Sequence, residues 1–209
     1  GNVASGGLSN DTTPGLSGAV VGTLAAGEVV AIYDGATRLG TATVAGSTWS
    51  FTPVALGAGA HSFTAVAESA VGNLGTVSSA YTLNIDALAP TVTISSNVGA
   101  VKAGETATIT FSFSEDPGAS FVDADITTTG GTLGAISGSG LTRTAVFTPT
   151  ANLASGTASI TVANASYTDA AGNTGSAGAT PSLSIDTLAP TVTISSNVGA
   201  VKAGETATI

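Results

Sequence analysis

Apolar and polar residues alternate along much of the chain, and the clearest run lies between Ala107 and Phe113. There every second residue is apolar, and the residues between are Thr or Ser. A period of two predicts a strand with one buried face and one wet face. His61 to Ala67 and Tyr81 to Ile85 alternate in the same way, and no heptad or long helical period is present. The pattern therefore predicts an all-β chain.

Turn signals divide the rest of the chain into further short strands. The turn at Asp34-Gly35 is one such signal. The other predicted strands are Leu16 to Val21, Glu28 to Tyr33, Arg38 to Val44, Thr48 to Thr52, Phe121 to Thr127, Gly131 to Ile136, Leu141 to Thr148 and Ala158 to Val162. Short strands at this spacing favour antiparallel β-sandwiches of the Ig type. The predicted buried set is Trp49, Phe63, Leu83, Ile109, Phe111, Phe147, Ile160 and Ile185.

One stretch occurs twice, at Ile85 to Ile109 and again 100 residues later at Ile185 to Ile209. The only change is Ala87, which becomes Thr187. A repeat at a fixed period indicates a tandem array, and we expect the chain to be a slice of a longer one. The predicted units are 1–14 as a linker or the end of a preceding repeat, 15–85 as one sandwich, 86–90 as a linker, 91–186 as a second sandwich and 187–209 as a linker and the first strands of an incomplete third.

Composition narrows the function classes. Thirteen acidic residues against four basic ones give a formal net charge of −9, which argues against nucleic acid and anionic membrane surfaces. The chain has no Cys, so disulfides and thiolate metal sites are excluded. No apolar run reaches the roughly 18 residues of a transmembrane helix.

Several short motifs, in the same order in both units, resemble bacterial Ig-like tandem repeats of large secreted or biofilm-associated adhesins of the RTX type. They are Asn10-Asp-Thr-Thr-Pro14, Trp49-Ser-Phe-Thr-Pro53, Val71-Gly-Asn73, Tyr167-Thr-Asp-Ala-Ala-Gly-Asn173 and Ser184-Ile-Asp-Thr-Leu-Ala-Pro190. The resemblance implies Ig-like sandwiches, an extracellular location on the cell surface, and often calcium at domain junctions. One departure is Glu68, because many relatives carry Asp in that loop.

Acidic residues fall where such a topology would bring loops and linkers to one end of a sandwich. For the second unit the candidate Ca²⁺ ligands are Asp86, Glu115 and Asp169, with Asp123 or Asp125 nearby. A parallel set at the entrance of the first unit comprises Asp11, Asp34 and Glu68. Calcium takes 6–8 oxygen ligands, which carboxylates and carbonyls supply. The alternative is that these acids are ordinary solvated turn residues.

Other chemistry has less support. The single His61 and the lack of Cys argue against a zinc site or a Cys-His nucleophile, and no nucleophile-elbow pattern is present. Trp49 and Phe51 are expected to pack in the core, and the alternative is that their rings stack on a sugar. We therefore expect no enzyme.

Two functions remain: a structural spacer of a surface adhesin or fibre, and a module that binds carbohydrate or protein. Small side chains and few aromatics favour the spacer. The expected partners are neighbouring Ig-like domains and possible other chains through the segment 191–209, in which Val192, Ile194 and Ile209 have no core of their own to enter.

Overall fold

The computed structural model describes residues 3–197 and 199–208 and shows two consecutive β-sandwiches. The strands of the first unit are β1 Gly7–Ser9, β2 Leu16–Ala19, β3 Val29–Asp34, β4 Thr37–Thr41, β5 Thr43–Ala45, β6 Thr48–Phe51, β7 Gly59–Glu68 and β8 Tyr81–Ile85. The strands of the second unit are β9 Val92–Ser96, β10 Ala100–Lys102, β11 Ala107–Phe113, β12 Ile126–Thr129, β13 Gly131–Leu133, β14 Thr142–Pro149, β15 Gly156–Val162, β16 Gly178–Ala179 and β17 Leu183–Asp186.

Each unit packs two sheets face to face. The first unit pairs a sheet in the order β1-β8-β7-β3-β4 with a sheet in the order β2-β6-β5. The second unit pairs β10-β17-β15-β12 with β13-β14-β11-β9, and β16 adds to β15. The predicted all-β fold is confirmed, and the described residues contain only one short 3-10 turn, Asp123–Asp125. No helix in the described part of the chain has the length and hydrophobicity needed to span a bilayer.

The second unit has the denser core, and its strand alternation follows the sequence pattern. The core side of β11 is buried from Ala107 to Phe113, with Ile109 and Phe111 fully enclosed. Four aromatic rings pack together there, with centroids 4.9–5.9 Å apart: Phe113, Phe121 and Tyr167 meet edge to face, and Phe111 lies tilted against Phe121. Of the residues predicted to lie in the core, Trp49 and Phe51 are only partly buried.

Residues 7–9 correct the predicted boundary of the first unit. They form β1, which runs parallel to β8 with Gly7 opposite Leu83 and Ser9 opposite Ile85. The segment 10–14 is therefore a loop between β1 and β2 within this unit, and the first unit begins before residue 15. In the second unit β10 pairs with β17 in the same parallel way.

The strand predicted over Phe121 to Thr127 is also corrected. Asp125 accepts a hydrogen bond from the Val122 amide at 2.8 Å, and Asp123 accepts one from the Ile136 amide at 3.0 Å. Such local side-chain bonds compete with a strand ladder, so the strand begins only at Ile126.

The segment after the second unit forms no strand in the described residues 191–197 and 199–208. Val192 and Ile194 are 87% and 77% exposed, and Ile209 lies outside the described residues. One hydrogen bond of the earlier copy nevertheless recurs in this segment: Asn197 Oδ1 accepts the Thr208 amide at 3.0 Å, as Asn97 Oδ1 accepts the Thr108 amide at 2.7 Å. Pairing of this segment with another chain stays a prediction.

The buried ring of Phe111 gives a direct test of the second core. Phe111→Ala is expected to lower the free energy of unfolding of the second unit by about 3–5 kcal/mol, measured by urea unfolding followed by circular dichroism. Val146→Ala, on the exposed face of the partner strand β14, is the matched control and should cost much less. An equal loss in the two variants would contradict the assigned strand faces.

Candidate functional site

The linker 86–90 is held by hydrogen bonds from both units. On the side of the first unit, the Asp86 amide donates to the Ser9 carbonyl oxygen at 2.9 Å. On the side of the second unit, Asn173 Nδ2 donates to the Asp86 carbonyl oxygen at 2.9 Å. The backbone of Asp86 thus makes hydrogen bonds to both sandwiches.

The far end of the linker belongs to the second unit. Pro90 is buried, and its carbonyl oxygen accepts the Ser176 amide at 3.0 Å and the Tyr167 hydroxyl at 3.4 Å. Burial raises the pKa of Tyr167, so this hydroxyl keeps its proton at neutral pH. The residues between Asp86 and Pro90 are exposed.

Three carboxylates converge at this junction. Asp86 comes from the linker, Glu115 from the turn after β11, and Asp169 from the loop after β15. One oxygen from each lies within 4.8 Å of the others. The structure therefore brings together the three residues that the sequence placed first among the calcium ligands, although calcium binding itself stays a prediction.

Asp169 is fixed by its own loop. Its Oδ1 accepts the amides of Gly172 and Asn173 at 2.8 and 2.9 Å, and its Oδ2 accepts Asn173 Nδ2 at 2.8 Å. Gly172 has φ 94°, a left-handed conformation that favours glycine. The loop Asp169 to Asn173 thus holds the buried carboxylate of Asp169 in place, and Asn173 also donates a hydrogen bond to the linker.

Glu115 is the unsatisfied member of the cluster. Its Oε1 is shielded from solvent and has no hydrogen-bond partner among the described residues. Burial raises the pKa of Glu115, and the charges of Asp86 and Asp169 raise it further. Glu115 thus combines a shielded oxygen with two neighbouring carboxylates and has no positive counterpart among the described residues, and a bound cation would supply one.

The other predicted ligands lie elsewhere. Asp125 is used locally, as the partner of the Val122 amide. Asp11 is exposed in the β1–β2 loop, where its Oδ1 accepts the Thr13 amide at 2.8 Å. Neither joins the three-carboxylate group found among the described residues.

The parallel site of the first unit is not assembled, because Asp34 and Glu68 occupy opposite ends of one strand pair. Asp34 lies opposite Phe63, whereas Glu68 lies opposite Val29. Five residues of strand separate the two positions, or about 16 Å at roughly 3.3 Å per residue. Glu68 is instead paired with Arg38 at 2.9 Å.

The loop comparison shows why the first unit lacks the cluster. Ser69 and Asp169 occupy the same place: the Ser69 amide donates to the Asn73 carbonyl oxygen at 2.9 Å, as the Asp169 amide does to Asn173 at 3.1 Å. Ser69 Oγ also accepts the Asn73 amide at 3.0 Å. The hydroxyl replaces the carboxylate as a cap but carries no charge. Alignment on Gly-Asn, at an offset of 100 residues, would have identified Ser69 instead of Glu68.

Asp34 belongs to a different arrangement, a clasp with His61 that sequence reasoning missed. His61 Nδ1 lies 2.6 Å from Asp34 Oδ2, and His61 Nε2 lies 2.9 Å from the Gly57 carbonyl oxygen. Because both partners are acceptors, only the doubly protonated imidazolium donates to both. The clasp ties the loop 52–58 to the end of β3.

The first unit also contains a cleft of about 1200 Å³ between its sheets. Trp49, Phe63 and Tyr81 contribute aromatic surface to its wall. Among the described residues β2 pairs only with β6, whereas β11 of the second unit is covered on both sides by β9 and β14. The open edge of β2 explains the cleft and the partial exposure of Trp49.

Comparison with protein families gives the same assignment for both units. Two different family models, each described as a bacterial Ig-like domain, match residues 1–87 and 86–185. The first match includes residues 1–14, in agreement with the position of β1 in the first sheet. No curated protein matches the sequence.

Several solved structures are similar over most of the chain, at low identity. The fibronectin(III)-like modules of Clostridium thermocellum CbhA share 17% identity at a TM-score of 0.36, with 89% of this chain and 90% of that chain covered. The I9-I11 tandem of titin shares 12% identity at a TM-score of 0.39, with 87% of this chain and 61% of that chain covered. A Bacteroides ovatus glucan-utilization protein, SGBP-B, was solved with a mixed-linkage heptasaccharide. It shares 18% identity at a TM-score of 0.28, with 88% of this chain and 43% of that chain covered. The family assignment rests on the sequence models.

The His61 clasp predicts a pH dependence of the first unit. The hydrogen bond to Asp34, and then that to Gly57, raise the pKa of His61 above its usual 6.5. The resulting stability is fully present below pH 6.5 and is lost as the pH rises through the folded-state pKa. Urea unfolding followed by the fluorescence of Trp49, the only Trp, should show this loss as the pH is raised above 6.5.

His61→Gln is the control, because it cannot titrate and should remove the pH dependence in that window. NMR titration of His61 gives an independent reading, since the chain has no other histidine. A titration midpoint at or below 6.5 in the folded protein would be inconsistent with the clasp.

Proposed function

Since the chain is a tandem of bacterial Ig-like domains, we propose that it is a spacer in the stalk of a large bacterial cell-surface adhesin or surface fibre, stiffened by calcium at the domain junction. Bacterial Ig-like domains are typical of surface or secreted proteins, and Ig-like families are typically structural or binding modules. A near-identical repeat and a linker bonded to both neighbours suit a load-bearing role.

The observation that carries the proposal is the cluster of Asp86, Glu115 and Asp169. One ligand comes from the linker and two from the second sandwich, so one ion would tie the linker to that domain. The Asp86 backbone also bonds both units. A junction of this kind transmits orientation from one sandwich to the next.

The residues present suit calcium. Hard carboxylate oxygens are its usual ligands, and its flexible coordination accepts side chains from separate loops together with water. Magnesium demands near-octahedral geometry and retains its waters. The orphaned Glu115 Oε1 is the atom that most needs a cation.

The electrostatics give the expected mechanism. Without a cation the three carboxylates repel one another, and the exposed linker residues between Asp86 and Pro90 are free to bend. Pro90 restricts one backbone dihedral but does not fix the joint. A bound divalent cation supplies positive charge that offsets the repulsion, and the carboxylates then hold the linker against the second sandwich.

Glu115→Gln tests this proposal with little disturbance, because Glu115 Oε1 makes no hydrogen bond that the change would break. Without calcium the variant is expected to melt at a higher temperature than the wild type, since a shielded charge facing two others is removed. With calcium at 100 times its Kd, the wild type should gain about 2.7 kcal/mol, and the variant much less. Calorimetric melting and isothermal titration measure the two effects.

Glu105→Gln is the matched control, because Glu105 is exposed and lies outside the cluster. It should respond to calcium as the wild type does. The metal site would be refuted if calcium did not change the melting temperature of the wild type. It would also be refuted if calcium raised the melting temperature of Glu115→Gln as much as that of the wild type. An equal response to magnesium would contradict the choice of calcium.

A second candidate function is ligand binding in the first unit, and the cleft beside Trp49 is the observation in its favour. The ligand would be a carbohydrate or an extended peptide. A panel of soluble oligosaccharides and peptides, titrated against the fluorescence of Trp49, tests this role. Saturable quenching that Val77→Arg, at an exposed residue lining the cleft, abolishes would support it, and an unchanged spectrum throughout would oppose it.

A further inference from the structure

The two linkers are equivalent in position but differ at one residue. Gly59 lies opposite Ile85 in the first unit, and Gly156 lies opposite Ile185 in the second. Asp86 and Asp186 therefore leave their sandwiches at the same point. The next residue is Ala87 in one linker and Thr187 in the other, which is the only difference between the two repeated stretches.

Thr187 is buried and bonded to the loop that precedes β15. Its Oγ1 donates to the Thr150 carbonyl oxygen at 2.7 Å and accepts the Leu153 amide at 3.0 Å. Its backbone amide donates to the Leu153 carbonyl oxygen at 2.7 Å, and the Leu188 amide reaches the same oxygen at 3.1 Å. The side chain is only 6% exposed. Four hydrogen bonds thus hold Thr187 and Leu188 against the second sandwich.

Ala87 has no counterpart to these bonds. It is exposed, and no hydrogen bond joins it to the loop 52–58 in the described structure. That loop is held from elsewhere: the Leu56 amide donates to the Thr12 carbonyl oxygen at 2.8 Å, and Gly57 accepts from His61. The Leu88 amide bonds only within the linker, to Asp86 Oδ1 at 3.1 Å.

We infer that Thr187 is a latch that fixes the direction of the second linker against its own sandwich without any ion, and that Ala87 leaves the first linker unlatched on that side. The threonine hydroxyl is suited to this because it donates and accepts at once. Serine retains both functions, whereas valine has nearly the same shape and neither function.

The consequence is that the two linkers reach stiffness in different ways. The first linker is bonded at Asp86 and depends on the carboxylate cluster beyond that residue. The direction of the second linker is fixed by the hydrogen bonds of Thr187 to its own sandwich and needs no contact with a following domain. The mechanical meaning of the latch rests on the proposed spacer function, but its test is carried out in chelator and does not depend on calcium binding.

The experiment compares the wild type with Thr187→Val and Thr187→Ser in EDTA, by NMR amide exchange and backbone relaxation. In the wild type we expect slower exchange and higher order at Leu188 than at Leu88. Thr187→Val should speed amide exchange at Leu153 and Leu188 about tenfold. The expected size is that of losing roughly one buried hydrogen bond whose partner is left unsatisfied. Thr187→Ser should stay close to the wild type.

Urea unfolding of the second unit separates a latch from a general contribution to the core. A Thr187→Val variant that loses global stability while Leu188 keeps its wild-type order would overturn the inference. Equal order at Leu88 and Leu188 in the wild type would also overturn it. Failure of the calcium proposal would change neither measurement.

Discussion

The charges of three carboxylates meet at the domain junction, where Asp86 and Asp169 act on Glu115. Asp169 is held in place by its own loop, and Glu115 carries a shielded oxygen that has no hydrogen-bond partner within the described parts of the chain. Asp86 alone belongs to the linker, and its backbone is bonded to both sandwiches. Anything that changes the charge balance of this group therefore acts on the one segment that joins the domains.

The two sandwiches use a common layout but close it differently. The second has a dense aromatic core, a β9 strand that covers the edge of β11, and an acidic loop at the junction. The first has an open β2 edge, a cleft, and Ser69 in the place of Asp169. At their exits, His61 and Thr12 hold one loop, whereas Thr187 holds the other. Within one fold, single residues thus determine which hydrogen bonds hold the loops at the end of each sandwich.

Sequence patterns predicted the features that depend on local alternation or on the repeat. The faces of β11 follow from its period of two, and the topology expected for the second unit brought Asp86, Glu115 and Asp169 together. Residues 7–9 were missed because a three-residue parallel strand has no alternation to detect. The His61 clasp and the Thr187 latch depend on partners that are distant along the chain or lie in an irregular loop, so no local signal marks them.

If the acidic junction controls the relative orientation of the two sandwiches, calcium changes the shape of the chain in solution. Small-angle X-ray scattering of this chain with calcium and then with chelator measures that shape. We expect a larger maximum dimension and a narrower distance distribution with calcium, and no such change in Asp86→Ala. Identical scattering in both conditions would contradict this expectation.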